Sequence, residues 1–262
     1  MRIDILTLFP DTVSAVLHES IIGRAAKKGI VEINCVQIRD FTENKQKQVD
    51  DYPYGGGFGC VMMAQPLKSC LEHVTAQTEG LRRRVIYLSP QGRPYTQETA
   101  KRLNRDYDQL ILVCGHYEGV DERFIEQCVD EEISLGDFVL TGGEIPAMAV
   151  TDAVCRLLPG VLSDDECFTD ESHWNGLLEY PQYTRPAVWH DRPVPEILRS
   201  GNHQNVARWR RKQSILRTMR RRPDLFAQLR LPDHSRAEKK FIRELEEEDD
   251  EFRVRYAQNL GR

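Results

Sequence analysis

Residues 110–161 constrain the fold of this chain more than any other segment, because three glycine turns lie close together within them. The first turn follows a short apolar run that ends at Gly115, and the second lies at Gly136. The third, Gly142-Gly143, leads into an apolar helix. Open α/β sheets bind ligands where the carboxyl ends of strands meet loops, and glycine lets backbone groups approach a ligand closely. The segment therefore predicts a small-molecule pocket built mostly from backbone.

Strand and helix signals alternate along the first half of the chain, which favours an α/β domain. Predicted strands cover residues 2–8, 31–38, 84–88, 110–113 and 132–135. Helices are predicted to follow the N-caps Asp11, Thr96 and Asp121, to begin at Ile21 and Pro66, and to carry Pro146 in a first turn. We expect a turn over residues 89–92, at the end of one strand. A nucleotide-dependent oxidoreductase would carry GxGxxG after the first strand, but residues 9–11 read Phe-Pro-Asp there.

The polar segment 39–59 ends in four glycines interleaved with aromatic residues. Composition favours a mobile surface loop. The alternative is a loop that closes over a ligand, with Tyr52, Tyr54 and Phe58 available to stack.

The composition is that of a globular protein, since 40% of the 262 residues are hydrophobic and 29% are charged. No apolar run is long enough to span a bilayer and the first residues lack a signal-peptide pattern, so we expect a cytoplasmic protein without membrane contact. The seven cysteines and seven histidines show no metal-binding spacing. We therefore predict reduced thiols and no protein-built metal site, and a divalent ion bound through substrate phosphates stays open.

Charge is segregated along the chain although the net charge is only −5. Residues 197–223 carry nine lysines and arginines and no acid, whereas residues 244–251 are almost wholly acidic. Such a basic stretch indicates a face that meets a polyanion. We expect the acidic run to be a solvated helix edge.

The sequence divides into three regions. Residues 1–160 form the predicted α/β domain, residues 161–185 lack periodicity and are predicted as an interdomain linker, and residues 186–262 are predicted to be helical. Helices are expected over 194–200, 205–221, 223–230 and 235–260. Long irregular connections in compact proteins tend to be functional or disordered.

Several long motifs occur in order along nearly the whole chain. They are YLSPQG (87–92), LILVCGHYEGVDER (110–123), ISLGDFVLTGGEIPAM (133–148), LPGVL (158–162), GLLEYPQYTRP (176–186) and SGNHQNVARWRRKQS (200–214). In these motifs the chain closely resembles the bacterial tRNA (guanine-N1)-methyltransferases of the TrmD family.

The resemblance implies a trefoil-knotted SPOUT-class α/β methyltransferase domain with a parallel sheet, followed by a small all-α C-terminal domain. It also implies an obligate homodimer with active sites at the subunit interface. Topology rules alone would favour an ordinary doubly wound sheet. The implied reaction transfers a methyl group from S-adenosylmethionine to N1 of the guanosine immediately 3′ of the tRNA anticodon, which prevents frameshifting. A magnesium requirement stays open.

The resemblance also implies which residues surround the cofactor. They are Leu88, Ser89, Pro90, Gly115, Tyr117, Glu118, Gly119, Leu135, Gly136, Asp137, Phe138, Val139, Leu140, Gly142 and Gly143. Backbone groups would bind the adenine edge, and the apolar side chains would form walls.

Methylation at guanine N1 requires removal of a proton, for which a carboxylate can serve, and a cation can hold the charge that develops on the carbonyl oxygen. In that family the carboxylate is an aspartate that is followed by a serine, and the cation is an arginine elsewhere in the chain. Arg156 matches the arginine. The aspartate position falls on Glu171, and a one-residue shift would present Asp170, so both carboxylates remain candidates for the base.

The resemblance implies that the basic stretch binds the anticodon arm of tRNA. The implied tRNA contacts are His203, Arg208, Trp209, Arg210, Arg211 and Lys212. Because the glutamate departs from the family pattern, a non-catalytic RNA-binding module that kept the fold is the alternative.

Overall fold

The structure is a computed structural model and describes residues 1–164, 168–169, 171–229 and 236–259, the side chains of 236–238 excepted. The chain divides into two compact units, Met1–Asp165 and Glu166–Arg262. In the described parts of the chain, no helix is long and apolar enough to cross a membrane.

The first unit is an α/β domain around a five-stranded sheet of order β2-β1-β6-β5-β7 in which every pairing is parallel. Its strands are β1 (Arg2–Thr7), β2 (Glu32–Gln37), β3 (Asp50–Asp51), β4 (Val61–Met62), β5 (Arg83–Pro94), β6 (Gln109–Cys114) and β7 (Glu131–Ser134), with β3 and β4 forming a separate antiparallel pair. The predicted parallel α/β fold is confirmed. The trefoil knot stays a prediction of the resemblance.

Helices cover the sheet because its strands alternate apolar side chains toward both faces. The helices are α1 (Pro10–Leu17), α2 (Ser20–Lys27), α3 (Ala64–Ala76), α4 (Gln97–Asp106), α5 (Glu122–Cys128) and α6 (Glu144–Cys155), and Ile38–Phe41 is a 3₁₀ turn. Leu6, Val85 and Ile111 pack with Leu67 of α3 and Phe124 of α5 in one buried cluster. Helix α6 contacts α1 and α4.

Helix α1 begins two residues earlier than the sequence predicts. Its first residue is Pro10 and Phe9 takes the cap position, so the prediction of Asp11 as N-cap is wrong. Proline is favoured at the first helical position, because its missing N–H would have no partner there. Asp11 lies in the first turn, where a carboxylate interacts favourably with the helix dipole.

The predicted turn at residues 89–92 is a bulge inside a longer strand. β5 continues to Pro94, and both Leu88 and Arg93 pair with Ile133 of β7. The residues between them are therefore left out of the ladder. Sequence alone could not show this, because the pairing that resumes at Arg93 depends on a distant strand.

The second unit contains α7 (His203–Arg221), α8 (Pro223–Gln228), α9 (Arg236–Glu248) and α10 (Asp250–Asn259). Its core includes Ile215, Met219, Phe226 and Phe252. The unit also carries a small antiparallel ribbon, β8 (Val188–Trp189) with β9 (Arg192–Pro193), so it is not purely helical as the resemblance implied.

Two predicted helices of this unit differ in the structure. The stretch 194–200 forms only a 3₁₀ turn, Glu196–Arg199. The single helix predicted over 235–260 is broken at Asp249, whose Oδ1 accepts a hydrogen bond from the backbone N–H of Phe252 at 2.9 Å. Asp249 therefore acts as the N-cap of α10, a role that aspartate commonly takes.

Residues on the carboxyl side of Glu171 pack within the second unit. Leu177 packs against the helical core, and the backbone N–H of Leu178 donates a hydrogen bond to Thr218 Oγ1 on α7 at 2.8 Å. This part of the aperiodic segment is therefore held on α7.

Candidate active site

A cavity of about 390 Å³ lies beside the bulge of β5 and the carboxyl ends of β6 and β7 in the first unit. β5 lies between β6 and β7 in the sheet, so its bulge adjoins the segments that follow both neighbours. Three segments form its walls: the bulge 88–91, the loop 115–120 after β6, and residues 133–142. The glycine turns named from the sequence thus surround one space.

Most of the predicted cofactor residues line this cavity. They are Leu88, Ser89, Pro90, Gly115, Tyr117, Glu118, Gly119, Leu135, Phe138, Val139, Leu140 and Gly142. Gly136, Asp137 and Gly143 belong to the same loops but are not among the lining residues. The sequence reasoning missed Gln91, His116 and Glu132, which also line it. Gln91 lies in the motif YLSPQG and His116 in the motif LILVCGHYEGVDER, so their place in these motifs could have identified them as lining residues.

The loop after β6 is held in an unusual backbone conformation. Tyr117 has φ of 58° and Gly119 has φ of 130°. On one side the loop is tied to β4, because Met62 N–H donates to Gly119 O at 2.9 Å and Asp121 N–H donates to Met62 O at 3.0 Å. These bonds fix the direction in which the loop leaves the sheet.

Two of the glycine turns touch each other directly. Gly143 N–H donates to Gly115 O at 3.0 Å. A Cβ atom on Gly143 would lie 2.6 Å from the Cα of Cys114, so only glycine allows α6 to start this close to β6. Gly143 is thus needed for the close approach of two backbones beside the cavity.

The third wall presents apolar side chains to solvent. Phe138 is 54% exposed and Val139 is 80% exposed, in a loop that Ser134 anchors by donating from its Oγ to Gly136 O at 2.9 Å. Large exposed hydrophobic residues next to a cavity mark a surface that meets a ligand or another chain.

The glycine-rich loop ends at the rim of the cavity. Glu118 N–H donates to Cys60 O at 3.0 Å, and a Cβ atom on Gly59 would lie 2.6 Å from Glu118 Cγ. Tyr52, Tyr54 and Phe58 are largely exposed. A surface loop and a loop that closes over a ligand both remain compatible with this placement.

The residues implied for proton removal and charge stabilisation lie in different units. Arg156 follows the last residue of α6 in the first unit and is half-buried. Glu171 belongs to the second unit, in a compact turn where the neighbouring Ser172 Oγ accepts from Glu179 N–H at 2.9 Å. Asp170 lies outside the described residues.

The basic helix α7 faces the acidic residues of α9 and α10. Arg208 pairs with Glu244 and Lys212 pairs with Glu248. Arg220 lies 2.6 Å from Asp249. The acidic run is therefore not simply a solvated edge, because several of its carboxylates are held by α7.

The other implied RNA contacts lie beside aromatic rings. The Arg210 guanidinium stands 4.7 Å from the centre of the Tyr180 ring, and Arg211 stands 5.4 Å from that of Phe241. Trp209 is 6.4 Å from Tyr183, ring centre to ring centre. His203 is the first residue of α7.

Among the described residues, no group of three or more histidine, cysteine or acidic side chains is placed to hold a metal ion. The described cysteines are free thiols.

Comparison with known proteins gives a consistent result. A family model described as "tRNA (Guanine-1)-methyltransferase TrmD" matches residues 1–228. A tRNA (guanine-N(1)-)-methyltransferase of Ruminiclostridium cellulolyticum is 57% identical over 231 residues, 87% of this chain and 97% of the relative. That of Geobacillus kaustophilus is 52% identical over 248 residues, 95% and 99% of the two chains. The motif resemblance is thereby confirmed, and this chain belongs to the TrmD family.

Proposed function

We propose that this protein is an enzyme that transfers a methyl group from S-adenosylmethionine to N1 of the guanosine immediately 3′ of the tRNA anticodon. The modified guanosine would prevent frameshifting during translation. The observation that carries the proposal is the glycine-walled cavity beside the adjacent strands β5, β6 and β7, in a chain of the TrmD family.

The cavity fits S-adenosylmethionine in size and chemistry. Its volume of about 390 Å³ lies in the range of about 300–1,000 Å³ usual for small-molecule sites. Leu135, Phe138 and Leu140 offer apolar contact, and the glycine turns leave backbone groups open to a purine edge. Glu118 and Glu132 line the same cavity, and their negative charge suits a cationic ligand.

When bound, S-adenosylmethionine supplies an electrophilic methyl group. The protein must then make guanine N1 nucleophilic by removing its proton. We assign this role to Glu171 or to Asp170, and we assign to Arg156 the stabilisation of negative charge on the guanine carbonyl oxygen.

Single isosteric variants separate the two carboxylates. Replacing the base by its amide should lower the methyl-transfer rate by about 100-fold or more while S-adenosylmethionine still binds, because only proton removal is lost. Glu171→Gln and Asp170→Asn should differ widely in rate. Normal rates in both variants would refute the assignment of the base to this segment.

The test also addresses the alternative of an RNA-binding module without turnover. Such a module would bind tRNA but form no methylated product at any enzyme concentration. Wild-type protein that binds tRNA and S-adenosylmethionine yet forms no product would support this alternative.

We propose that tRNA binds the second unit through α7 and its aromatic neighbours. Arginine beside aromatic rings suits unstacked bases in single-stranded loops. Arg208 and Lys212 would have to exchange their carboxylate partners for phosphates, whereas Arg210 and Arg211 stand over rings. The affinity for tRNA should fall steeply as salt increases, and a flat dependence would contradict a phosphate-binding surface.

We propose a homodimer in which a second copy covers exposed apolar residues of α1 and α6. Val16 of α1 is 55% exposed and Ile145 of α6 is 56% exposed, and the two helices contact each other. Val139 in the cavity wall is also exposed. The double variant Val16→Asp, Ile145→Asp should sediment as a monomer, and a wild-type monomer would contradict the proposal.

With tRNA as substrate, we place the enzyme in the cytoplasm. A magnesium requirement, if present, should appear as loss of methyl transfer on adding EDTA and recovery with Mg²⁺.

A further inference from the structure

A buried polar network joins the start of α6 to the loop after β6. Glu144 is the first residue of α6 and is 8% exposed. One of its carboxylate oxygens accepts a hydrogen bond from Thr7 Oγ1 at 2.6 Å, and the other lies 2.7 Å from His116 Nε2. Both oxygens are therefore engaged by side chains from other segments.

The network determines the proton position on His116. With a carboxylate oxygen as the partner, we assign the ring hydrogen to Nε2 of His116, which then donates to Glu144 Oε2. The carboxylate sits in the first turn of α6, where the helix dipole favours negative charge. Thr7 is itself positioned, because its Oγ1 accepts from Phe9 N–H at 2.9 Å.

The His116–Glu144 contact lies directly over one of the cavity glycines. A Cβ atom on Gly142 would come within 2.3 Å of the His116 ring and 2.6 Å of Glu144 Oε2. Gly142 and His116 both line the cavity. The absence of a side chain at residue 142 therefore allows the pair to close the gap between two cavity walls.

The loop that carries His116 needs such an anchor. The next residue, Tyr117, has a left-handed backbone with φ of 58°, which is costly for a residue other than glycine. Met62 holds the loop on one side by backbone hydrogen bonds around Gly119. The His116 side chain holds the loop on the other side, toward α6.

We propose that His116 and Glu144 act as a positioning pair for the methyl donor. By fixing residues 115–119 against residues 142–144, the pair sets the separation of two cavity walls before the donor binds. The inference rests on the proposed function, since it assumes that S-adenosylmethionine occupies this cavity.

The test compares the affinity for S-adenosylmethionine in variants of His116 by isothermal titration calorimetry. His116→Met removes the donor and leaves a buried carboxylate oxygen unpaired, so the Kd should rise about tenfold. His116→Gln can place an amide N–H near the former Nε2, and its Kd should return to within about threefold of wild type. The KM for S-adenosylmethionine should follow the Kd, while the KM for tRNA stays unchanged.

A matched histidine provides the control. His73 Nε2 lies 2.9 Å from Gln77 Nε2 on the exposed side of α3, away from the cavity, so His73→Met should leave the affinity and the rate unchanged. If His116→Met does not fold, Glu144→Gln keeps the side-chain volume and should raise the Kd in the same direction. Adding His116→Met to Glu144→Leu should produce no further rise beyond Glu144→Leu alone, because the interaction is already lost.

The possible results separate the two proposals. Wild-type protein that binds no S-adenosylmethionine would refute the proposed function. Wild-type protein that binds it, together with His116→Met of equal affinity, would overturn the positioning role alone. Equal losses in His116→Met and His116→Gln would also overturn the positioning role, because the loss would then not depend on the hydrogen bond to Glu144.

Discussion

Asp4 is a fully buried carboxylate in the middle of β1 and is not among the residues that line the cavity. It accepts hydrogen bonds from Arg2 Nε at 2.9 Å, Asn34 Nδ2 at 3.1 Å and Gln109 Nε2 at 2.7 Å. The three donors come from β1, β2 and β6, so one side chain links adjacent strands. A buried charge of this kind is tolerated because its oxygens are satisfied.

Removing this carboxylate should destabilise the fold without affecting the cavity. Asp4→Ala should lower the free energy of unfolding by about 3 kcal/mol, because it leaves several buried donors without an acceptor. Urea denaturation would measure the loss. As a control, Asp106→Ala breaks an exposed ion pair with the adjacent Arg105 and should leave the urea concentration at the unfolding midpoint nearly unchanged. Equal stability of Asp4→Ala and wild type would contradict the account.

The buried thiols should be unreactive in the native protein. Burial raises the pKa of Cys70 to about 12 and that of Cys155 to about 12, and it raises the pKa of Cys114 well above its usual range. A raised pKa lowers the thiolate fraction at pH 8, and thiolate is the reactive form. Iodoacetamide with peptide mapping should label these cysteines only after unfolding. Rapid native labelling of Cys114 would show that β6 is not buried as described.

The glycines of the sequence predicted the parts of the cavity wall that depend on local backbone conformation. Gly115 and Gly142 could be assigned to close approaches because glycine is selected for backbone conformation and contact. The role of His116 could not be predicted, since its partner Glu144 is 28 residues away and Thr7 lies 137 residues from Glu144. The choice between Glu171 and Asp170 depends on chain placement and stays open.

At the scale of elements, capping residues predicted helix starts well. Thr96 accepts from Thr99 N–H and Asp121 accepts from Arg123 N–H, as their sequence context suggested. Strand β6 was equally clear, because residues 110–113 form an uninterrupted apolar run, and all six residues of the strand are buried. The bulge in β5 was missed, since strand length there is set by pairing with β7 rather than by local propensity.

The pairing between α7 and α9 makes a prediction about RNA binding. Glu244→Gln with Glu248→Gln should release Arg208 and Lys212 for phosphate contact, and tRNA affinity at low salt should rise by about threefold or more. Filter binding with a tRNA transcript would measure the change.

The control for this prediction changes the net charge equally without touching those pairs. Glu246→Gln with Glu247→Gln lies on the same helix, and these residues have no described ion pair with α7. This control should raise the affinity for tRNA less than the Glu244→Gln, Glu248→Gln variant does. Equal gains in both double variants would indicate a general charge effect and contradict a specific role for the α7–α9 pairs.

At the scale of the whole molecule, the chain separates its tasks between two units. The first holds a backbone-lined cavity beside β5, β6 and β7, and the second carries a basic helix beside aromatic rings. The segregation of charge along the sequence predicts that the second unit meets a polyanion, and this role stays a prediction. The knotted topology could be inferred only from the family resemblance, because strand and helix signals are the same for a knotted and an unknotted sheet.

The most direct test of the central claim is mass spectrometry of nucleosides from a tRNA transcript incubated with the wild-type protein and S-adenosylmethionine. We predict one 1-methylguanosine per tRNA, located immediately 3′ of the anticodon and lost when that guanosine is replaced by adenosine. A transcript without 1-methylguanosine, or one methylated equally after the replacement, would contradict the account.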